Sequence, residues 1–168
     1  FVASGIRYDL ISDDKVYGYE YLKEIVTHHL SGQMKIAPEH IDDEILGLMG
    51  KPGKEALVEF KTLFDKLTRE SGKKQFLTYY LIAAHPGCEE KHMHSLKQFA
   101  SNVLKINPEQ AQVFTPTPST YSTLMYYTGL HYKTRKPLFV EKDTLRKEKQ
   151  KEIVVAKKER VFKSGFDS

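Results

Sequence analysis

Glu39 and His40 stand together directly behind a short apolar run and a proline, in the stretch QMKIAPEH. A carboxylate at the end of a buried strand is costly unless a partner receives it. Pro38 turns the chain out of the strand and sends the next residues into the loop layer. The bland alternative is that Glu39 supports the first turn of a helix beginning near Ile41, but Asp42 and Asp43 already supply that negative charge. Glu39 is therefore read as facing a ligand.

A second group is HPGCEEKHMH, residues 85 to 94, with three histidines and the only cysteine. As a zinc site its spacing is poor: His85, Cys88, His92 and His94 match no standard finger or ribbon, and His92 and His94 fall on different faces of a helix. Pro86 and Gly87 instead suggest a tight turn that brings backbone close to a ligand. Arg7, after Ser4 and Gly5, suits a carboxylate or phosphate through its planar fork, or else pairs with Asp9 or Glu39. His28 and His29 end a helix, where a cation is welcome. TPTPSTYSTLMYYTG, residues 115 to 129, joins a proline turn to a tyrosine-rich helix whose rings belong in a core or at a pocket edge.

Four segments read as the strands that position these groups: FVASGI, QMKIA, QFLTYYLIAA and AQVFT. Each looks buried on both faces. Their starts at 1, 33, 75 and 111 lie 32, 42 and 36 residues apart, about one β-helix-β repeat. Helical patterns lie between them, over 16 to 30, 42 to 49, 54 to 70 and 90 to 106. This spacing implies consecutive parallel strands with right-handed crossovers, in a doubly wound sheet or a piece of a β/α barrel. Both architectures collect chemistry at the carboxyl ends of their strands, where SGIRYD, PEH, HPGCEE and TPTPST occur. No G-x-G-x-x-G comes after a strand, which argues against a dinucleotide fold.

The 168 residues, 40% hydrophobic, suffice for one core. No apolar run approaches the 18 residues of a membrane span, no signal-peptide pattern opens the chain, and a single cysteine allows no internal disulfide, so a soluble cytoplasmic protein is expected. The net charge is +4. Residues 141 to 168 hold nine Lys/Arg against six Asp/Glu, a surplus of three, so the rest is nearly neutral. Interspersed signs usually mark a solvated helix face, and nucleic-acid binding is a minority reading.

Taken together and in order, SGIRYDL, HHLSGQMKIAPEH, ILGLMGKP, FLTYYLIAAHPGC and VFTPTPSTYSTLMYYTGL resemble the C-terminal half of the YgiQ-type, uncharacterised family of radical SAM proteins. The resemblance covers residues 1 to about 140. It implies an α/β fold: the C-terminal part, about four strands, of a partial six-stranded β/α barrel, with a charged helical tail over 141 to 168. It implies S-adenosylmethionine and a four-iron four-sulfur cluster, and a 5′-deoxyadenosyl radical that abstracts hydrogen from an unknown substrate.

The resemblance also assigns residues. Glu39 takes the place of a polar group that contacts the ribose or amino-acid part of the cofactor, with His40 and Lys35 grouped beside it. The segment from Leu81 to Gly87, with Ile82, Ala83, His85 and Pro86, resembles the wall that holds adenine. Phe114 and Pro116 close the adenine side, and Ser4 and Arg7 face the cofactor's polar end or the substrate. The Cys-x-x-x-Cys-x-x-Cys loop of the family is absent, and the chain opens on Phe1 in a segment that reads as a strand. The expectation is a fragment that is inactive alone, lacking the N-terminal half of the barrel. Its exposed first edge would self-associate or be covered by Leu145, Ile153, Val154, Val161 and Phe162 of the tail. A non-catalytic binding or assembly module with a basic tail is the alternative, and a zinc hydrolase built on Glu39, His40, His85 and His92 is a third.

Overall fold

The computed structural model describes residues 5 to 155. Ser4, Val161 and Phe162 lie outside that span. Three strands form a parallel sheet in the order β1 (Gln33–Glu39), β2 (Phe76–Ala83) and β3 (Gln112–Val113). Ile6 adds a parallel bridge to Ile36 on the free side of β1, its N–H donating to Lys35 O at 3.0 Å. The order of the second, third and fourth segments is thus the one their spacing predicts, and Ile6 places the described end of the first beside β1.

The helices are α1 (Tyr8–Asp13), α2 (Gly18–Glu24), α3 (Asp43–Met49), α4 (Lys54–Glu70), α5 (Glu90–Phe99), α6 (Tyr121–Thr128) and α7 (Thr144–Val154). Two of them widen at their ends into π-turns, over Ile25–His29 and Ala100–Leu104. α3 starts on Asp42, whose carboxylate accepts from the N–H groups of Glu44 and Ile45. It stops at Gly50, which takes the left-handed conformation at φ 68°. α4 buries Leu57, Phe60, Phe64 and Leu67 on one stripe, the 3.6-residue pattern of an amphipathic helix.

The strands are not buried on both faces. In β1, Met34 and Ile36 are buried and alternate with exposed Gln33 and Lys35. In β2, Leu77, Leu81 and Ala83 point inward, while Phe76 and Tyr80 are exposed. The inward face packs with Ile45, Phe60, Phe64, Met93 and Leu96 in one core. The other face of the sheet is open and mixed, with Gln33 and Lys35 beside Phe76 and Tyr80.

α7 packs against α5, β2 and β3; the edge of the first strand segment, which the tail was expected to cover, lies largely outside the described residues. Val154 is buried and Gln150 Nε2 donates to Cys88 O at 3.2 Å, whereas Leu145 is 81% exposed. The apolar spacing in the tail gives no direction for the helix; Gln150, reaching a backbone carbonyl of the loop after β2, supplies it. Among the described residues no helix is long and apolar enough to cross a membrane.

Candidate active-site cleft at the strand ends

A cleft of about 480 Å³ opens on the exposed side of the sheet at the carboxyl ends of the strands. Its walls include Glu39 from the end of β1, Tyr80 and Ile82 from β2, His85 just beyond it, Phe114 after β3, and Ser122 in α6. Of the residues singled out in the sequence, Glu39, Ile82, His85 and Phe114 meet here.

Glu39 arrives through a distorted strand end. The pairing of β1 with β2 shifts between Ile36 and Glu39, and Pro38 has no N–H for the ladder. His40 N–H donates to Pro38 O at 2.8 Å, closing a three-residue turn with Glu39 at its centre at φ 67°. A non-glycine residue in that conformation is strained, and such strain collects at functional sites. Lys51, just past the end of α3, meets the carboxylate: its Nζ lies 2.9 Å from Glu39 Oε1 and donates to Ala37 O at 3.1 Å. Both side chains are largely covered, at 22% and 23% exposure, so the pair is less screened than a surface one. Lys51 was not singled out in the sequence. Its signal was the helix stop in MGKP, where Gly50 turns the chain back toward β1.

His85 is held from both sides. Ala84 before it sits at φ 57°, and residues 85 to 88 form a turn closed by Cys88 N–H to His85 O at 2.8 Å, with Pro86 and then Gly87 at φ 91°. The ring Nδ1 donates to Pro86 O at 2.8 Å, since a carbonyl only accepts. Nε2 therefore carries the lone pair and accepts from the Ser122 hydroxyl at 2.7 Å. Burial holds the His85 imidazole down at about 4, so it is neutral near pH 7. The ring also lies edge-on to Phe114, 5.0 Å between centroids. Ser122, like Lys51, was passed over in the sequence; the pair joins positions 37 apart.

Phe114 N–H donates to Ala83 O at 2.8 Å and fixes the loop after β3 to the end of β2. Thr123 Oγ1 accepts from Thr117 N–H at 2.9 Å and donates to Thr117 O at 2.6 Å, so hydroxyls fasten the TPTPST loop to α6.

The remaining expected site residues go elsewhere. Arg7 forms a two-pronged ion pair with Asp9, at 2.8 Å and 2.5 Å, one of the alternatives its position allowed. Lys35 lies on the open sheet face with its ammonium 5.8 Å over the Tyr80 ring, outside the cleft wall. His40 is fully buried: Nδ1 accepts from Asp42 N–H at 3.0 Å, and Nε2 lies 3.7 Å from Cys88 Sγ. Burial holds that imidazole near 4 and pushes the Cys88 thiol up to about 12, so the two are a neutral core pair. Ala83 is buried on the core side, Pro86 lends His85 its carbonyl, and Pro116 sits in the loop without lining the cleft. Gly87 faces the core: a Cβ there would come within 2.4 Å of Leu48 Cδ1. Its small size serves packing against α3. His92 caps α5 through Nδ1, which accepts from Glu89 N–H at 2.9 Å.

No family model matches the chain. A UPF0313 protein of Fusobacterium nucleatum is 65% identical over 158 residues, 94% of this chain and 28% of that protein. A UPF0313 protein of Clostridium perfringens is 38% identical over 168 residues, all of this chain and 25% of its own length, and one of Methanosarcina mazei is 41% identical over 92% of this chain and 24% of its own. The chain spans about a quarter of the length of these curated relatives. Among solved structures, the Elp3 of the archaeon Methanocaldococcus infernus, with an N-terminal deletion, matches with a TM-score of 0.50 at 15% identity, over 66% of this chain and 25% of that chain. At that identity the likeness is one of fold. The five sequence strings and the parallel sheet therefore lead to one place: the chain is a UPF0313-type sequence, matching about a quarter of the length of those relatives, with an α/β fold like that of part of Elp3.

Proposed function

We propose that the cleft is the S-adenosylmethionine-binding part of a radical SAM enzyme, and that residues 1 to 140 are its contribution to the barrel, with 141 to 168 as an appended tail. The observation that carries this reading is the strained turn that sets the Glu39 carboxylate into a cleft at the strand ends. That is where a β/α barrel holds its ligands.

The residues fit the cofactor. The cleft of about 480 Å³ is in the range of small-molecule sites. Glu39 offers a carboxylate to ribose hydroxyls or an ammonium group, with Lys51 holding one of its oxygens in place. Ile82, Val113 and Phe114 give an apolar wall for a flat ring. Because the Ser122 proton goes to His85, the Ser122 oxygen turns lone pairs toward the cleft and accepts from a ligand N–H or O–H. Beside a four-iron four-sulfur cluster, the bound cofactor would supply a 5′-deoxyadenosyl radical by reductive cleavage of its sulfonium.

The residues do not fit the cluster. Cys88 is the chain's one cysteine, fully buried, its thiol raised to about 12 and its sulfur against Met93 and His40. Cluster ligands would have to come from outside this sequence, and no step is assigned to Cys88.

The test is cofactor titration of the protein at its full natural length. Glu39→Ala is expected to weaken S-adenosylmethionine binding by about 1 to 3 kcal/mol, on the order of 10- to 100-fold, with Glu39→Gln between it and the parent. Unchanged affinity in a folded Glu39→Ala protein would remove Glu39 from the site.

A further inference from the structure

The nearly neutral charge balance of the body conceals a local one. Between Glu109 and Glu141 the sequence has no acidic residue, yet it carries Lys133, Arg135 and Lys136 and the tyrosines 121, 126, 127 and 132. In the fold these residues adjoin one another on the rim next to the cleft.

Residues 129 to 137 form a small hairpin closed by an antiparallel bridge between Leu130 and Pro137, with His131 N–H donating to Lys136 O at 2.9 Å. The hairpin brings Tyr132 against two rings. His131 stacks on it at 5.1 Å and 8° between planes, and Tyr121 of α6 stacks on it at 4.5 Å and 28°. Tyr121, at one end of these contacts, is 66% exposed. Tyr127, further along α6, is 69% exposed and held edge-on against Tyr126 at 5.3 Å. Between Tyr121 and Tyr127 runs a shallow groove of about 560 Å³, edged by Leu124 and by the hydroxyls of Ser119, Thr120 and Thr123.

Lys133, Arg135 and Lys136 are exposed, and among the described residues none of them is in an ion pair. The next carboxylates along the chain are engaged elsewhere: Glu141 is buried against Arg146 at 2.9 Å, Asp143 caps α7 by accepting from Arg146 N–H at 2.9 Å, and Glu148 pairs with Lys151 at 3.0 Å. The rim therefore offers exposed flat faces together with cations that have no ion-pair partner among the described residues.

We propose that this rim, Tyr121 and Tyr127 with Lys133, Arg135 and Lys136, binds a single-stranded nucleic acid. Bases stack on exposed aromatic faces irrespective of sequence, while cations track the phosphates. A double helix hides its base faces, so the tyrosines select a single strand. An acidic peptide would use the cations but leave the tyrosine faces idle. The rim adjoins the cleft through α6, where Thr120 and Ser122, on either side of Tyr121, line it. The proposal does not rest on the cofactor reading, because binding is measured without cofactor.

The test is fluorescence anisotropy of a labelled 12-nucleotide mixed-sequence RNA on the protein at full natural length, between 50 and 200 mM salt. The single strand is expected to bind more tightly than a duplex of equal length, with log K falling against log salt at a slope of about −2 for three phosphate contacts. Replacing Lys133, Arg135 and Lys136 together by Gln should cost at least tenfold at low salt and flatten the slope. Tyr121→Ala with Tyr127→Ala should cost at least tenfold and leave the slope unchanged, while the Phe replacements at both positions retain binding. Circular dichroism verifies that each variant is folded. Absence of binding at 100 μM protein, equal binding of duplex or of poly-glutamate, or folded tyrosine variants that bind like the parent would each overturn the proposal.

Discussion

At the residue scale, the chemistry of the strand ends is set by burial. His40 and His85 are both buried and both held near 4, against an ordinary value of 6.5. Each stays neutral in the folded chain while the unfolded chain takes up a proton near pH 6.5. Their contribution to stability is therefore complete above about pH 6.5 and is lost as pH falls toward 4. Between pH 7.5 and 5 this amounts to about 2 kcal/mol per histidine. Urea unfolding at the two pH values should show that loss, and His40→Asn should reduce it; a pH-independent stability would show that neither ring is held neutral by burial. Glu39 and His85 were legible because chemistry-bearing residues behind an apolar run can be read directly. Lys51 and Ser122 were not, since each reaches its partner through tertiary structure: a helix stop aims one, and the helix after β3 carries the other. His40 misled for the same reason, as adjacency to Glu39 does not reveal that the turn sends one side chain to the cleft and the other to the core.

At the element scale, the α4 pattern over 54 to 70 was legible to its limits because an amphipathic stripe begins after Gly53 and ends before Gly72. α1 was not, since six residues give too short a pattern to see. The two-face burial expected of the strands fails because FLTYYLIA reads as continuously apolar although Tyr80 lies on the open face. Two substitutions probe the supports of the site. Asp42→Ala removes the carboxylate that caps α3 and should cost about 1 kcal/mol of stability. Gly87→Ala introduces a Cβ that meets Leu48 and places alanine at φ 91°; it should cost about 1 to 3 kcal/mol. Thermal or urea unfolding measures both. A Gly87→Ala protein as stable as the parent would mean that α3 and the turn after β2 are not packed as described.

At the scale of the whole molecule, the parallel order of the strand segments was legible from the regular spacing of strands and helices, which fixes a sequence of crossovers. The direction of the tail was not, because its charges alternate and its apolar residues are sparse. Covering β2 and β3, α7 leaves the open sheet face and the cleft beside it accessible. The relatives are about four times as long as the chain, so other parts of such a protein have room to meet that face. The central claim is that this cleft holds the cofactor. Photolabelling the full-length protein with 8-azido-S-adenosylmethionine and mapping the modified peptide tests it most directly. The account predicts label between residues 80 and 85 or between 112 and 122, competed away by unmodified S-adenosylmethionine; competed label confined to other parts of the protein would contradict it.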